Sequence, residues 1–194
     1  MIRTIFLTAV VLAVSIGGGA ASVWLALNAS EGVGAVVISG WTAFPDVGTP
    51  HADTYSKARF AREGGLSLGR AEGITFVAQR DTSGDVLRRR CTYQIEGGIP
   101  SARFWTLYAA DEQRVVLPPT NRRIPALHSQ EMLRTVDGAI SITASRHPAP
   151  GNWLGLSGNG PMQFVLTLYD TPAATSARVF EISLPQVLKV GCDD

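Results

Sequence analysis

The run Phe164-Val165-Leu166-Thr167-Leu168-Tyr169 decides the fold. Phe164, Leu166 and Leu168 project to one side of an extended chain and Val165, Thr167 and Tyr169 to the other, because side chains alternate along a strand. Both sets are largely apolar, so such a strand belongs at the centre of a sheet packed against a second layer. Outward from it, residues 74–79, 86–95, 102–109 and 139–145 read as further strands, rich in Val, Ile, Thr, Tyr, Phe and Trp and set apart by Gly, Pro, Asn and Asp. Residues 179–182 read as a weaker strand. Asp81-Thr82-Ser83-Gly84-Asp85 supplies αL-tolerant residues for a hairpin turn between 74–79 and 86–95. The expected domain is mainly β, an antiparallel β-sandwich of jelly-roll type.

One short soluble helix is expected before the strands. Asp53 caps it, Tyr55, Ala58, Arg59 and Arg62 recur at helical spacing, and Gly64-Gly65 ends it. Upstream, Glu31-Gly32-Val33-Gly34 breaks the helical pattern, and Trp41, Phe44, Pro45 and Pro50 follow among turn signals. The chain thus divides into an anchor at residues 1–30, an ordered juxtamembrane neck at 31–52 and the β domain at 53–194. Trp41 has two readings, an interfacial anchor beside Trp24 or a cap on the domain core.

Residues 4–27 carry no charge, and a helix of that length crosses a hydrocarbon core of ~30 Å with some tilt. A transmembrane helix is the reading. A cleavable signal peptide competes with it, since Arg3 supplies a positive n-region and Gly19-Ala20-Ala21 a loose cleavage site, although the apolar run continues through Leu27. Arg3 on one side, and no Lys or Arg on the other until Lys57, puts the amino terminus in the cytoplasm and the domain outside, in the periplasm beyond the inner membrane. Gly17-Gly18-Gly19-Ala20-Ala21 offers a small-residue face for a second helix, or is merely ordinary membrane-helix composition. An oxidising compartment favours a Cys91–Cys192 disulfide stapling the carboxyl-terminal tail to the sheet; two buried free thiols are the alternative.

With 194 residues and 45% hydrophobic content, the chain supplies one ordinary core. Its net charge is +1, and Arg3 lies before the soluble part, which is left formally neutral. That balance argues against nucleic acid as a partner and against a polybasic membrane surface. Gly65-Leu66-Ser67-Leu68-Gly69 matches the nucleophile-elbow pattern, but a charged helical stretch precedes it and a strand follows, the inverse of the required context. His51, His128 and His147 lack metal-ligand spacing, and His128 with Glu131 reads as a solvated loop pair. Asp81 and Asp85 read as an acidic turn rather than a cation site, and Gly155, Gly158 and Gly160 as a loop without the Lys-Ser/Thr of a phosphate cradle. No catalytic residue, metal or cofactor is assigned.

From residue 102 to 188 the chain resembles the domain of unknown function numbered 1214. The likeness rests on Ala102-Arg103-Phe104-Trp105-Thr106-Leu107, Asn121-Arg122, Ser129, Asp137-Gly138, Asn152-Trp153-Leu154, Leu168-Tyr169 and Leu184-Pro185, in that order. Residues 53–91 resemble the short membrane-anchored members. Gly155, Thr167 and Ser183 depart from the usual pattern of Pro after Asn-Trp-Leu, Arg before Leu-Tyr and Trp near Leu-Pro. The resemblance implies a β-sandwich or jelly-roll domain and a companion domain of unknown function numbered 1254, for which 194 residues leave no room.

Exposed Trp, Tyr and Arg near polar amides are what a pocket or interface uses, which makes Arg103, Trp105, Asn152, Trp153 and Tyr169 the candidate binding residues. Against that, Trp105 in a strand suits the core and Asn152 suits loop backbone groups. Two functions follow: a non-catalytic envelope module that docks a partner or ligand, or a hydrolase-type enzyme subunit completed by the companion.

Overall fold

The computed structural model of the chain describes residues 1–28, 32, 34–64, 68–119, 122–134, 138–175 and 182–193. A long helix α1 (Ile2–Asn28) precedes a two-sheet sandwich. The larger sheet joins β1 (Val36–Ile38), β2 (Trp41–Ala43), β3 (Gly73–Ala78), β5 (Phe104–Ala110), β6 (Ala126–His128) and β9 (Gln163–Tyr169) in the order β1-β2-β3-β9-β5-β6. The smaller joins β4 (Cys91–Gly97), β7 (Ile140–Ser145), β8 (Asn152–Gly155) and β10 (Gln186–Cys192) in the order β10-β4-β7-β8. Two further helices among the described residues are α2 (Thr54–Glu63) and the single turn α3 (Pro172–Thr175). The fold is mainly β, as the alternation of residues 164–169 requires.

Strand β9 lies between β3 and β5, antiparallel to both. Phe164, Leu166 and Leu168 are fully buried towards the smaller sheet, and Gln163, Val165 and Thr167 are buried on the opposite face. The layers meet through Trp41, Phe76, Trp105 and Leu107 on one side and Tyr93, Ile95, Ile142, Leu154 and Val187 on the other. The Tyr93 ring meets Phe164 edge-on at 6.0 Å across this interface. Its buried hydroxyl accepts a hydrogen bond from the Arg88 N–H at 2.8 Å, and burial pushes the phenol above its ordinary pKa.

Three features differ from the sequence pattern. The Asp81–Asp85 turn closes as expected, with Asp81 N–H donating to the Asp85 carbonyl at 2.9 Å and an Arg80–Val86 bridge. The hairpin stops there, because Arg88-Arg89-Arg90 cannot continue an alternating half-buried strand, and Leu87 instead carries the chain into the core towards the smaller sheet. β4 consequently starts at Cys91 and pairs with β7 and β10 rather than with β3. The second difference is that β7 and β8 are parallel, Ile142 facing Asn152, so the smaller sheet is mixed rather than wholly antiparallel. Residues 146–151 make the return, a shorter link than the dozen or more residues a parallel crossover usually takes. Third, residues 36–43 of the neck are strands of the large sheet, turned at Ser39 (φ 51°) and Gly40 (φ 83°). Trp41 is thereby fully buried and its indole N–H donates to the Pro185 carbonyl at 2.7 Å, which decides its reading as core. The weaker strand expected at residues 179–182 falls mostly outside the described residues, and Ile182 is not in a strand.

Helix α2 forms where its caps dictate. Asp53 Oδ1 accepts from the N–H groups of Tyr55 (2.9 Å) and Ser56 (3.0 Å), and Gly64 ends the helix with φ 64°. The hydrogen bond from the Ser56 side chain, then those from backbone N–H groups, hold the Asp53 carboxyl below the usual carboxylate range. At the other end of the fold, Cys192 faces Cys91 across β10 and β4, and the Sγ atoms are 2.02 Å apart.

Two outcomes follow from these contacts. Breaking a bond that closes a loop of sequence separation 101 lowers stability by roughly 2–4 kcal/mol, read as a shift in urea midpoint on adding reductant; an unchanged midpoint would show that the bond does not constrain the unfolded chain. A Cβ on Gly73 would sit 2.1 Å from the Leu168 carbonyl oxygen, so Gly73→Ala pushes β3 off β9 and costs about 2 kcal/mol or more. A Gly73→Ala chain as stable as the parent would contradict the close approach.

Candidate functional site

The face of the large sheet turned away from the sandwich core is built by register. Phe104 faces Tyr169 across β5 and β9, Thr106 faces both Thr167 and His128, and Tyr108 faces Val165 and Ala126. On the other side of β9, Thr75 faces Thr167 and Val77 faces Val165. Side chains alternate, so these residues share one face and their neighbours Trp105, Leu107, Leu166 and Leu168 fill the core.

That face is divided into two halves. Near one half lies α2, whose Phe60 meets Phe44 edge-on at 6.2 Å and carries the Arg114 guanidinium 5.3 Å above its ring. Arg59 lies 5.0 Å over the Phe44 ring. Beneath this half, Val77, Ala110 and Val165 are buried together with part of Tyr108, whose phenol is pushed up by burial. Arg114 opposes that rise and Tyr169 adds to it.

The other half is an aromatic cluster with polar neighbours. The Phe104 ring lies 5.9 Å from Tyr169 and 5.7 Å from His128, each pair tilted by less than 40°. Arg103 stands at the rim, both it and its partner Asp170 largely exposed at 3.8 Å. His128 Nε2 is 3.2 Å from Glu131 Oε1, while its buried Nδ1 has no hydrogen-bond partner among the described residues. Thr75 and Thr167 hydroxyls meet at 3.2 Å farther along the same face. Flat rings beside an exposed Arg–Asp pair and hydroxyls form a surface that stacks on a planar group and accepts hydrogen bonds around it.

Of the five residues the sequence singles out, the structure gathers Arg103 and Tyr169 here. Trp105 is 3% exposed in the core. Asn152 and Trp153 lie on β8, in the other sheet. There Asn152 accepts from the Leu133 N–H at 2.8 Å and donates to the carbonyls of Leu133 (2.8 Å) and Ser141 (2.9 Å), tying residues 132–134 to β7. The Trp153 indole N–H reaches the Ser145 carbonyl and hydroxyl at 3.2 and 3.1 Å. Both are positioning roles within the fold. Sequence reasoning did not single out Phe104 and read His128 only as half of a loop pair with Glu131, whereas it closes strand β6; Phe104 alternates with buried Trp105 and Leu107 and so declared its outward face.

The other motifs resolve into local structure. Asp81 is buried, its Oδ1 accepting from the Ser83 and Asp85 N–H groups, and Asp85 pairs with Lys189. Among the described residues no group of three or more His, Cys, Asp or Glu is placed to hold a metal ion. Gly65, Leu66 and Ser67 of the nucleophile-like motif lie outside the described residues. A pocket of about 510 Å³ at one end of the smaller sheet is lined by Ser39, Glu96, Ser141, Ser183 and Gln186, away from the aromatic cluster.

A family model described as "Protein of unknown function (DUF1214)" matches residues 72–173, the span from the start of β3 into α3. Among solved structures, the chain is similar to the VPA0106 protein from Vibrio parahaemolyticus, with TM-score 0.58 and 19% identity, over 72% of this chain and 36% of that one. It also aligns with an uncharacterised protein from Burkholderia cenocepacia, with TM-score 0.41 and 14% identity, over 66% of this chain and 31% of that one. The chain therefore spans about a third of the length of these structures. No curated protein matches it by sequence.

The Asp85–Lys189 pair makes a pH-dependent contact. The hydrogen bond and charge of Lys189 hold the Asp85 carboxyl below the usual carboxylate range, and the same hydrogen bond raises the Lys189 ammonium. Asp85 thus contributes stability above the unfolded-state pKa of about 3.9, lost as pH falls through its lower folded value. An NMR titration of the Asp85 carboxyl should show the lowered midpoint in the parent and an ordinary one in Lys189→Met. Equal midpoints would remove the pair from the account of the β10 edge.

Proposed function

We propose, for a chain that belongs to the DUF1214 family of proteins of unknown function, that its β-sandwich is a non-catalytic docking module held at a membrane surface. The observation that carries this reading is the division of the large sheet's outer face. One half has Val77, Ala110 and Val165 buried, with α2 held near it through Phe44 and Arg114, and the other presents Phe104, Tyr169 and His128 with Arg103 and Asp170 at the rim. The helix α1 supplies the tether, being long and apolar enough to cross a membrane, as a signal sequence also would be. In this reading it remains as a single span of the inner membrane with the sandwich in the periplasm, the compartment in which a Cys91–Cys192 bond persists.

The partner we assign to the open half is a companion domain of the kind numbered 1254. The solved structure of similar fold is nearly three times as long as the region matched, which is consistent with a fold that works beside further structure. A second reading is favoured by one observation, the His128–Glu131 pair with its unpartnered Nδ1, which has the geometry of an oriented base. In that reading the chain is a hydrolase-type subunit and the partner supplies the remaining groups.

Purification of the full chain from solubilised membranes tests the first reading. A stoichiometric companion should co-purify with the parent and be lost with the double variant Phe104→Ala and Tyr169→Ala, whose own melting temperature stays within a few degrees. Undiminished recovery with that variant contradicts docking at this face, and activity of the complex that vanishes with His128→Gln favours the second reading. A periplasm-dependent phosphatase fused after residue 50 should be active, and the same enzyme fused at the amino terminus inactive; the reverse would overturn the orientation.

A further inference from the structure

One turn of α2 touches two separate parts of the chain. Arg59 Nη2 donates to the Ala26 carbonyl at 3.0 Å and Arg62 Nη2 to that of Leu27 at 3.3 Å, so two guanidinium groups meet carbonyls that the end of α1 leaves without helical partners. The next residue after Arg59, Phe60, carries Arg114 on its ring. α2 therefore links the connection between β5 and β6 to the end of α1.

That connection is unusually apolar on its outside. Val115, Val116 and Ile124 are 62%, 42% and 61% exposed. They are held together at the end of β5, because Ala109 accepts from the Leu117 N–H and donates to the Pro125 carbonyl, both at 3.0 Å, while Val116 bridges Ala110. Arg122 and Arg123 border the patch. Of the two acidic residues there, Asp111 turns its carboxylate inward to the N–H groups of Gln113 and Val115, and Glu112 is exposed. Aliphatic side chains flanked by arginines, linked through α2 to the end of a membrane-length helix, match the interface of an anionic bilayer: apolar groups below, guanidinium groups at the phosphates.

We infer that Val115, Val116 and Ile124 form a second membrane contact, which lays the sandwich against the phospholipid surface next to its own span. This rests on the reading of α1 as a membrane span. The contact fixes which way the domain faces: with two attachments on one side of α2, the sandwich cannot swing freely on a single tether.

The test uses the full chain, with its native Cys91–Cys192 pair, in nanodiscs with and without phosphatidylglycerol. An environment-sensitive dye is placed in turn at Val115→Cys, Ile124→Cys, Trp24→Cys and Leu188→Cys, the last being a control on β10. Lipids with a quencher near the headgroup should quench the dye at 115 and 124 several-fold more than at 188, and more strongly with phosphatidylglycerol. In the unlabelled chain, amide exchange of residues 112–119 should slow from detergent to nanodiscs while that of 186–192 stays the same. Quenching at 24 but not at 115 and 124, with exchange unchanged, overturns the contact and leaves the span intact. No quenching at 24 either overturns both. A blue shift at 115 that survives in detergent and grows with protein concentration assigns the patch to a second copy and also overturns the proposal.

Discussion

Between β3 and β5, strand β9 has both backbone edges paired and both faces covered. Phe164, Leu166 and Leu168 need the smaller sheet, and Gln163, Val165 and Thr167 need cover on the other side. Everything else is arranged around that double requirement. The smaller sheet brings Tyr93, Ile95, Ile142 and Leu154 to the inner face, and the Trp41 hydrogen bond to Pro185 ties the edge of one layer to the chain leading into β10. On the outer face Val165 is buried with Val77, Ala110 and part of Tyr108, and α2 is held nearby through the contacts of Phe60 with Phe44 and Arg114 and of Arg59 with Phe44. Burial of this much apolar surface, at about 25 cal/mol per Å², is the main term opposing chain entropy in such a domain.

Cover on the outer face is incomplete, and the proposed docking surface lies where it stops. A ten-residue helix cannot roof a six-stranded sheet, so the half bearing Phe104, Tyr169 and His128 faces outward with rings stacked on one another. The arrangement is self-consistent energetically: each ring is half sheltered by its neighbour, which keeps the exposed cluster soluble while leaving one broad surface to bury on docking. α2 also contacts the end of α1 through Arg59 and Arg62, and so links the sandwich to the amino-terminal helix.

Local rules made part of this legible. The two-sided apolar character of residues 164–169 announced a central strand, and Asp53 and Gly64 marked the ends of α2 to the residue. The even cysteine pair indicated the staple that the β4–β10 register brings to bonding distance. What the sequence concealed was non-local. The turn at 81–85 looked like a hairpin because its chemistry is that of a hairpin, whereas the departure of the following strand to the other sheet depends on where three arginines and Leu87 can be accommodated. Likewise the parallel pairing of β8 rests on register alone, and Ser39-Gly40 was too short a signal to reveal two edge strands in the neck. Site residues divided the same way: composition picked out Trp105 and Trp153, which are buried, while Phe104, Tyr169 and His128 become neighbours only once β5, β9 and β6 are aligned.

The claim that the open half of this face is where the module docks is tested most directly by photo-crosslinking in intact cells, with a photoreactive phenylalanine analogue replacing Phe104 in one chain and Leu188 in another. A discrete adduct of one mass from position 104, absent from position 188, is the predicted result. No adduct from 104, or the same adducts from both positions, would contradict it.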